Sequence, residues 1–162
     1  MKRLLAAVAT ACGAALLVAA TASAKPPERF TDFEPYSGSA SCGAFDDVYQ
    51  GSVTFSGMTT FDKAGNPVMD VAQNTRVETN WRSDDPSVSM TLTASWTSRY
   101  DYATDTETNT GQIFQQTYPG LGLLFHDLGF VSFGPGGVVV HGPHDVLDQG
   151  QAAFCNALEA IG

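Results

Sequence analysis

The chain has 162 residues, with 17 acidic side chains against 8 basic ones and 43% hydrophobic residues. That is enough material for one domain with a real core and too little for two comfortable ones. Without a basic patch to displace counterions, nucleic acid and anionic membrane surfaces are poor partners, and the acidity reads most simply as solubility outside the cell.

Residues 1–24 read as a secretory signal peptide. Lys2 and Arg3 form a short basic start, Leu4 to Ala20 is apolar or small, and Thr21-Ala22-Ser23-Ala24 ends in an A-x-A pattern before Lys25-Pro26-Pro27. The apolar run is at the short limit for a membrane span and has no basic stop on its far side. Cys12 lies inside that run, which is the wrong place for a lipidated residue. Cleavage after Ala24 leaves 6 basic and 17 acidic side chains. It also directs the protein to the cell envelope or the medium, with no membrane span remaining.

Cleavage leaves two cysteines, Cys42 and Cys155, one near each end of the remaining chain. In an oxidising compartment such a pair predicts a disulfide. Free thiols or a two-thiolate metal site are the alternatives, but no His or Cys neighbours cluster around either residue.

Residues 25–41 are rich in Pro, Ser and Gly. They predict an arm that orders on contact, with a short strand at most over Phe30 to Phe33. A single domain is expected over 42–162. Gly51 to Asp62 alternates Val53, Phe55, Gly57, Thr59 and Phe61 against Thr54, Ser56, Met58 and Thr60, which predicts a strand. Lys63-Ala64-Gly65-Asn66 is a turn. Pro67 to Trp81 returns with Met69, Val71, Thr75, Val77 and Trp81 as its apolar face, and with Asp70, Asn74, Arg76, Glu78 and Asn80 opposite. The two strands make a hairpin.

Ser87 to Ala103 gives the strongest signal in the chain. Val88, Met90, Leu92, Ala94, Trp96, Ser98, Tyr100 and Tyr102 alternate with Ser and Thr, predicting a long half-buried antiparallel strand. A helix through the same residues would have no clean apolar stripe. After a polar loop over 104–111, a strand is expected at Gln112 to Tyr118. Two short apolar strands are expected on either side of His126-Asp127, at Leu121 to Phe125 and Gly129 to Phe133. The turn Gly134 to Gly137 leads into Val138 to His141. Gln149 to Ile161 reads as a helix with Ala153, Phe154, Ala157, Leu158 and Ile161 on one side. The expectation is therefore an all-β antiparallel meander of about seven or eight strands with a short C-terminal helix. A closed or nearly closed barrel is preferred because it removes sheet edges, and a two-sheet sandwich is the alternative.

Motifs for chemistry are sparse. No G-x-S-x-G is present, and a disulfide would leave no free cysteine as nucleophile. Asp46-Asp47 and Asp84-Asp85 fall in expected turns, where nothing aims them into one cleft. Gly134 to Gly137 lacks the lysine of a phosphate loop. His126, His141 and His144 lie close in sequence, with Asp127 and Asp145 beside them, and their composition would suit a metal or acid–base site. The Gly-Pro between His141 and His144 sets a turn and not a ligand-bearing helix, so structural roles are favoured and no catalytic residue, metal ligand or cofactor is assigned.

The more suggestive feature is the mixing of small polar and aromatic groups on strand faces expected to point inward. Gln73, Thr75, Trp81, Trp96, Ser98, Tyr100, Tyr102 and Tyr118 have the make-up of a ligand cavity, with apolar walls and a few orienting polar groups.

Three segments also carry a resemblance: P-G-x-G-L-L-F-H-D-x-G from Pro119, V-x-F-G-P-G-G-V-V-V-H-G-P-H from Val131, and F-C-x-A-L from Phe154. Together with the early cysteine and the turn over 62–67, they resemble small exported proteins of high-GC Gram-positive bacteria, over roughly Cys42 to Leu158. That resemblance implies an export context and carries no catalytic residues. Lipocalin-type barrels are similar in architecture only, since Gly51-Ser52 is followed by Val53 and the G-x-W element is missing.

The function expected is thus a non-enzymatic exported barrel holding a small, partly apolar molecule. One alternative is a secreted or cell-surface module that meets another extracellular protein. A second is a hydrolase or metal-dependent enzyme using the three histidines.

Overall fold

A computed structural model describes residues 25–162; the signal-peptide reading falls on residues outside that range. Seven strands, β1 (Glu28–Ser41), β2 (Asp46–Phe61), β3 (Pro67–Arg82), β4 (Ser89–Asp101), β5 (Thr106–Tyr118), β6 (Gly122–Gly134) and β7 (Gly137–His141), precede two helices, α1 (Asp145–Gln149) and α2 (Gln151–Ile161). All seven strands belong to one sheet in sequence order, and every neighbouring pair is antiparallel. The β class and the meander are therefore as expected. β1 and β7 do not pair, so the ladder is open between them, an order also compatible with the two-layer alternative.

Short local signals build the hairpins. At the β2–β3 turn the Asp62 carboxylate accepts the backbone N–H of Ala64 at 2.8 Å and that of Asn66 at 2.9 Å. Gly65 takes the positive φ of 88° that the turn requires.

The inner face is the one covered by α2. Ala153, Phe154, Ala157 and Leu158 of the helix pack on Met90 and Leu92 of β4, Phe125 of β6 and Phe45. Phe154 lies with its ring centroid 5.1 Å from that of Phe125 and 5.7 Å from that of Phe114. Complete burial of Leu158 alone contributes about 2 kcal/mol. The predicted disulfide is formed between Cys42 and Cys155, 113 positions apart, and fastens α2 to the end of β1.

Several local expectations are corrected. Residues 28–41 form a full strand rather than an arm, paired along its length with β2; Pro35 is tolerated because β1 is an edge strand with one side free of ladder bonds. The two short strands around His126 are one continuous strand, β6. The C-terminal helix is preceded by α1, with Gly150 between the two.

The largest correction concerns β3. Arg76 pairs with Ala94, Asn74 with Trp96, Glu78 with Leu92 and Asn80 with Met90. Directly paired residues share a face, so the polar side of β3 points inward. Asn74, Glu78 and Asn80 are buried, while Val77 is half exposed on the outside.

Candidate functional site

The inward turn of β3 creates a polar stripe inside an otherwise apolar shell. Two concavities flank Arg76. The more enclosed one is an interior cavity of about 370 Å³, walled by Phe55, Trp96, Ile113, Phe114, Val131 and Phe133, with Asn74, Ser98, Glu107, Asn109 and Asp127 among its polar groups. Phe55 of β2 and Phe133 of β6 line the same space, so the sheet curls until its second and sixth strands flank one cavity. Val146 and Leu147 of α1 also contribute to the wall.

The register also brings two glycines together beside Trp96. In the row that begins with Asn74 and Trp96, the next two strands supply Gly111 and Gly129, which pair with each other. A Cβ at Gly111 would come within 3.0 Å of the Ser95 carbonyl oxygen and one at Gly129 within 2.3 Å of the His141 carbonyl oxygen, so both positions require close backbone approach. Both sit at positive φ, 123° and 127° respectively, a backbone shape that glycine takes without strain.

The polar groups of this cavity are unevenly satisfied. Asn74 is 1% exposed; its Nδ2 donates to Ser98 Oγ at 2.9 Å, and its Oδ1 has no partner. Asn109 is 8% exposed; its Nδ2 donates to Glu107 Oε1 at 3.0 Å, and its Oδ1 also lacks a partner. The Arg76 guanidinium lies 4.3 Å from the Phe114 ring centroid, 5.4 Å from that of Trp96 and 5.9 Å from that of Tyr36. Among the described residues no carboxylate forms an ion pair with it, and its Nε is buried without an acceptor. Asp127, by contrast, accepts the N–H groups of Val146 at 2.7 Å and Leu147 at 3.2 Å, capping the start of α1 from β6. Burial pushes the Asp127 carboxyl above its usual range, against the opposing pull of those N–H bonds and of His144.

The second concavity, about 310 Å³, lies on the other side of Arg76 between Tyr36, Asp47, Tyr49, Glu78, Asn80 and Gln151. It is a denser hydrogen-bond network, in which the Asn80 Oδ1 is buried without a partner. Tyr36 donates its hydroxyl to Glu78. Asn80 donates to both Asp47 oxygens at 3.2 and 3.1 Å, and Gln151 donates to Asp47 Oδ2 at 2.8 Å. Burial holds the Asp47 carboxyl above its usual range despite the donors from Gln151 and Asn80.

The residues expected to line a cavity divide between two faces. Trp96 and Ser98 do line the interior space. Tyr100 and Tyr102 stack edge to face at 4.8 Å near the strand end, where Tyr100 donates to Asp105 and Tyr102 to Asp70. Tyr118 is half-buried at the end of β5, opposite Gly122. Gln73 and Thr75 are on the outer face, where Gln73 donates to Ser95 Oγ at 2.7 Å. Trp81 also faces outward, beside Val77, Thr79 and Phe33 in an open groove. Sequence reasoning missed Asn74, Arg76 and Asn109 as cavity residues. The signal for Asn74 and Arg76 was the in-phase run Asn74, Arg76, Glu78, Asn80, which becomes an inner face once β3 is registered against β4; Asn109 fell in the stretch expected to be a polar loop, which is strand β5 from Thr106 onward.

The histidines take local structural contacts. The His126 backbone N–H donates to Asp145 Oδ2 at 2.9 Å, with its ring Nδ1 3.1 Å from the same oxygen. His144 is buried, its Nε2 3.3 Å from the His141 carbonyl oxygen. His141 packs on Phe130. Among the described residues no three His, Cys, Asp or Glu side chains are grouped to hold a metal ion, and no helix is long and apolar enough to cross a membrane. The chain matches no family model, no curated protein and no solved structure in comparisons with each.

Proposed function

We propose that this protein is an exported, non-enzymatic binding protein that holds a small, partly apolar molecule inside a nearly closed β-barrel. The observation that carries the reading is the interior cavity. It is walled by aromatic and aliphatic side chains and lined by Asn74 and Asn109, whose amide oxygens are buried and unpartnered. Buried polar atoms cost free energy unless something pairs with them, and a bound molecule supplies that pairing. The disulfide supports an oxidising destination.

The test is native mass spectrometry of the protein recovered from its host's exported fraction. The expected result is a small molecule that is released on unfolding and is absent from Ser98→Trp, whose larger side chain occupies the cavity. A chain that carries no added mass, and whose Trp96 fluorescence no apolar probe quenches, overturns the reading.

A second reading, a module that meets another extracellular protein, is favoured by the outer groove. There Phe33 is 60% exposed and Val77 51% exposed beside Trp81, and apolar groups in that position are available to a partner. Phe33→Asp abolishes such an interaction and leaves cavity binding unchanged.

A further inference from the structure

We propose that the cavity ligand is a small organic anion. The Arg76 guanidinium is its counter-charge, and the amide oxygens of Asn74 and Asn109 accept hydroxyl or amine donors on the same molecule. The proposal rests on the reading of this space as a ligand site and adds the chemistry of the occupant.

The argument is one of complementary deficits. Arg76 is a donor without an acceptor: three aromatic rings surround its charge, and no carboxylate among the described residues forms an ion pair with it. Ring faces attract a cation, but they do not accept the directed bonds of a guanidinium as a carboxylate or sulfonate does. The acidic groups around this space each accept a hydrogen bond from elsewhere. Glu78 takes the Tyr36 hydroxyl, Glu107 takes the Asn109 amide, and Asp127 takes two N–H groups of α1. Asn74 and Asn109 show the opposite deficit, since each is an acceptor without a donor.

A pure hydrocarbon would leave all three groups unpaired. A bare inorganic anion would satisfy Arg76 and leave the walls formed by Trp96, Val131 and Phe133 wet. A molecule with an anionic head, an apolar body and one or two hydrogen-bond donors pairs with Arg76, Asn74 and Asn109 together, and its donors can also meet the Glu107 and Asp127 carboxylates of the same wall. The volume of about 370 Å³ is at the small end of ligand cavities and suits a single- or double-ring molecule.

The test compares two probes that differ by one charged group: 8-anilinonaphthalene-1-sulfonate and N-phenyl-1-naphthylamine, the same rings without the sulfonate. Quenching of Trp96 is read in a Trp81→Phe background, which leaves Trp96 as the single tryptophan of the 2 in the chain. The sulfonate is expected to bind at least about tenfold more tightly than the neutral amine. Arg76→Met should remove that preference, and Arg76→Lys, which keeps the charge, should retain part of it. Equal quenching by both probes, or a preference unchanged in Arg76→Met, overturns the anion proposal and leaves the cavity reading standing. If neither probe quenches Trp96, both readings fall.

Discussion

Tyr36 on β1 donates its phenolic proton to the Glu78 carboxylate on β3, and it does so by crossing over Gly51 on the strand between them. A Cβ at position 51 would come within 2.7 Å of the Tyr36 oxygen and 2.8 Å of the Val77 carbonyl. The missing side chain is therefore what lets an edge-strand phenol reach an interior carboxylate. Gly51→Ala is expected to displace Tyr36 and to cost about 1–3 kcal/mol, the usual range for overpacking, read as a shift in the urea midpoint.

The same contact sets an alkaline limit. Burial, followed by the Glu78 hydrogen bond, holds the Tyr36 hydroxyl protonated well above the usual phenol range. The unfolded phenol ionises near pH ~10 while the folded one keeps its proton. The native state then binds more protons, so its stability is full below that pH and falls as pH rises beyond it. Tyr100 and Tyr102 are shifted in the same direction by Asp105 and Asp70. The diagnostic quantity is therefore the difference between the parent and Tyr36→Phe, and the variant should lose less stability with rising pH.

Asp47 has the opposite chemistry with the same sign of slope. Burial raises its carboxyl pKa, so the folded protein holds a proton there at pH values where the unfolded chain has lost it. Its stabilising contribution is present at or below the ordinary carboxylate range and is lost as pH climbs through the raised folded value. Asp47→Asn removes that titration. Denaturation of the two proteins side by side should show the parent losing stability relative to the variant as pH rises from about 4. A difference independent of pH would contradict the assignment.

The Cys42–Cys155 bond closes a loop with a sequence separation of 113. In the chain-entropy account that constraint contributes about 4–5 kcal/mol, taken as an upper value. Reduction, or Cys42→Ala with Cys155→Ala, is expected to lower the urea midpoint and to loosen α2 first, because the helix is the element the bond fastens. Hydrogen exchange of the Ala153–Leu158 amides is the measurement that separates this local effect from a global one.

Edge strand β7 carries a further expectation. Val138, Val139 and Val140 are 57%, 50% and 37% exposed, and their strand pairs on one side only, with β6. Such an edge templates self-association. Val139→Lys is expected to slow aggregation at high concentration, followed by light scattering, while changing the unfolding free energy by no more than about 0.5 kcal/mol.

Two strands show how far the sequence could be read. In β4 the alternation of apolar residues with Ser and Thr placed Met90, Leu92, Ala94 and Trp96 inside, and they are buried. In β3 the same rule put Thr75, Val77 and Trp81 inside and was inverted. Trp81 pairs with Ser89, an outer residue of β4, so Trp81 must be outer too. Hydrophobicity ranks the two faces of a strand correctly only where the inner face is a dry core. Here part of that face borders a polar cavity, and the rule points the wrong way.

The sequence by itself determined the β class, the meander order, the cysteine pair and the apolar face of the closing helix, because period-two alternation, turn residues and helical spacing are local properties of the chain. Only the tertiary structure decided which face of β3 turned inward, that β6 ran unbroken through His126, and that Asn74, Arg76 and Asn109 met around one space. Those outcomes depend on inter-strand register, and register is set by pairing between residues distant in sequence, where a shift of one position exchanges the two faces of a strand.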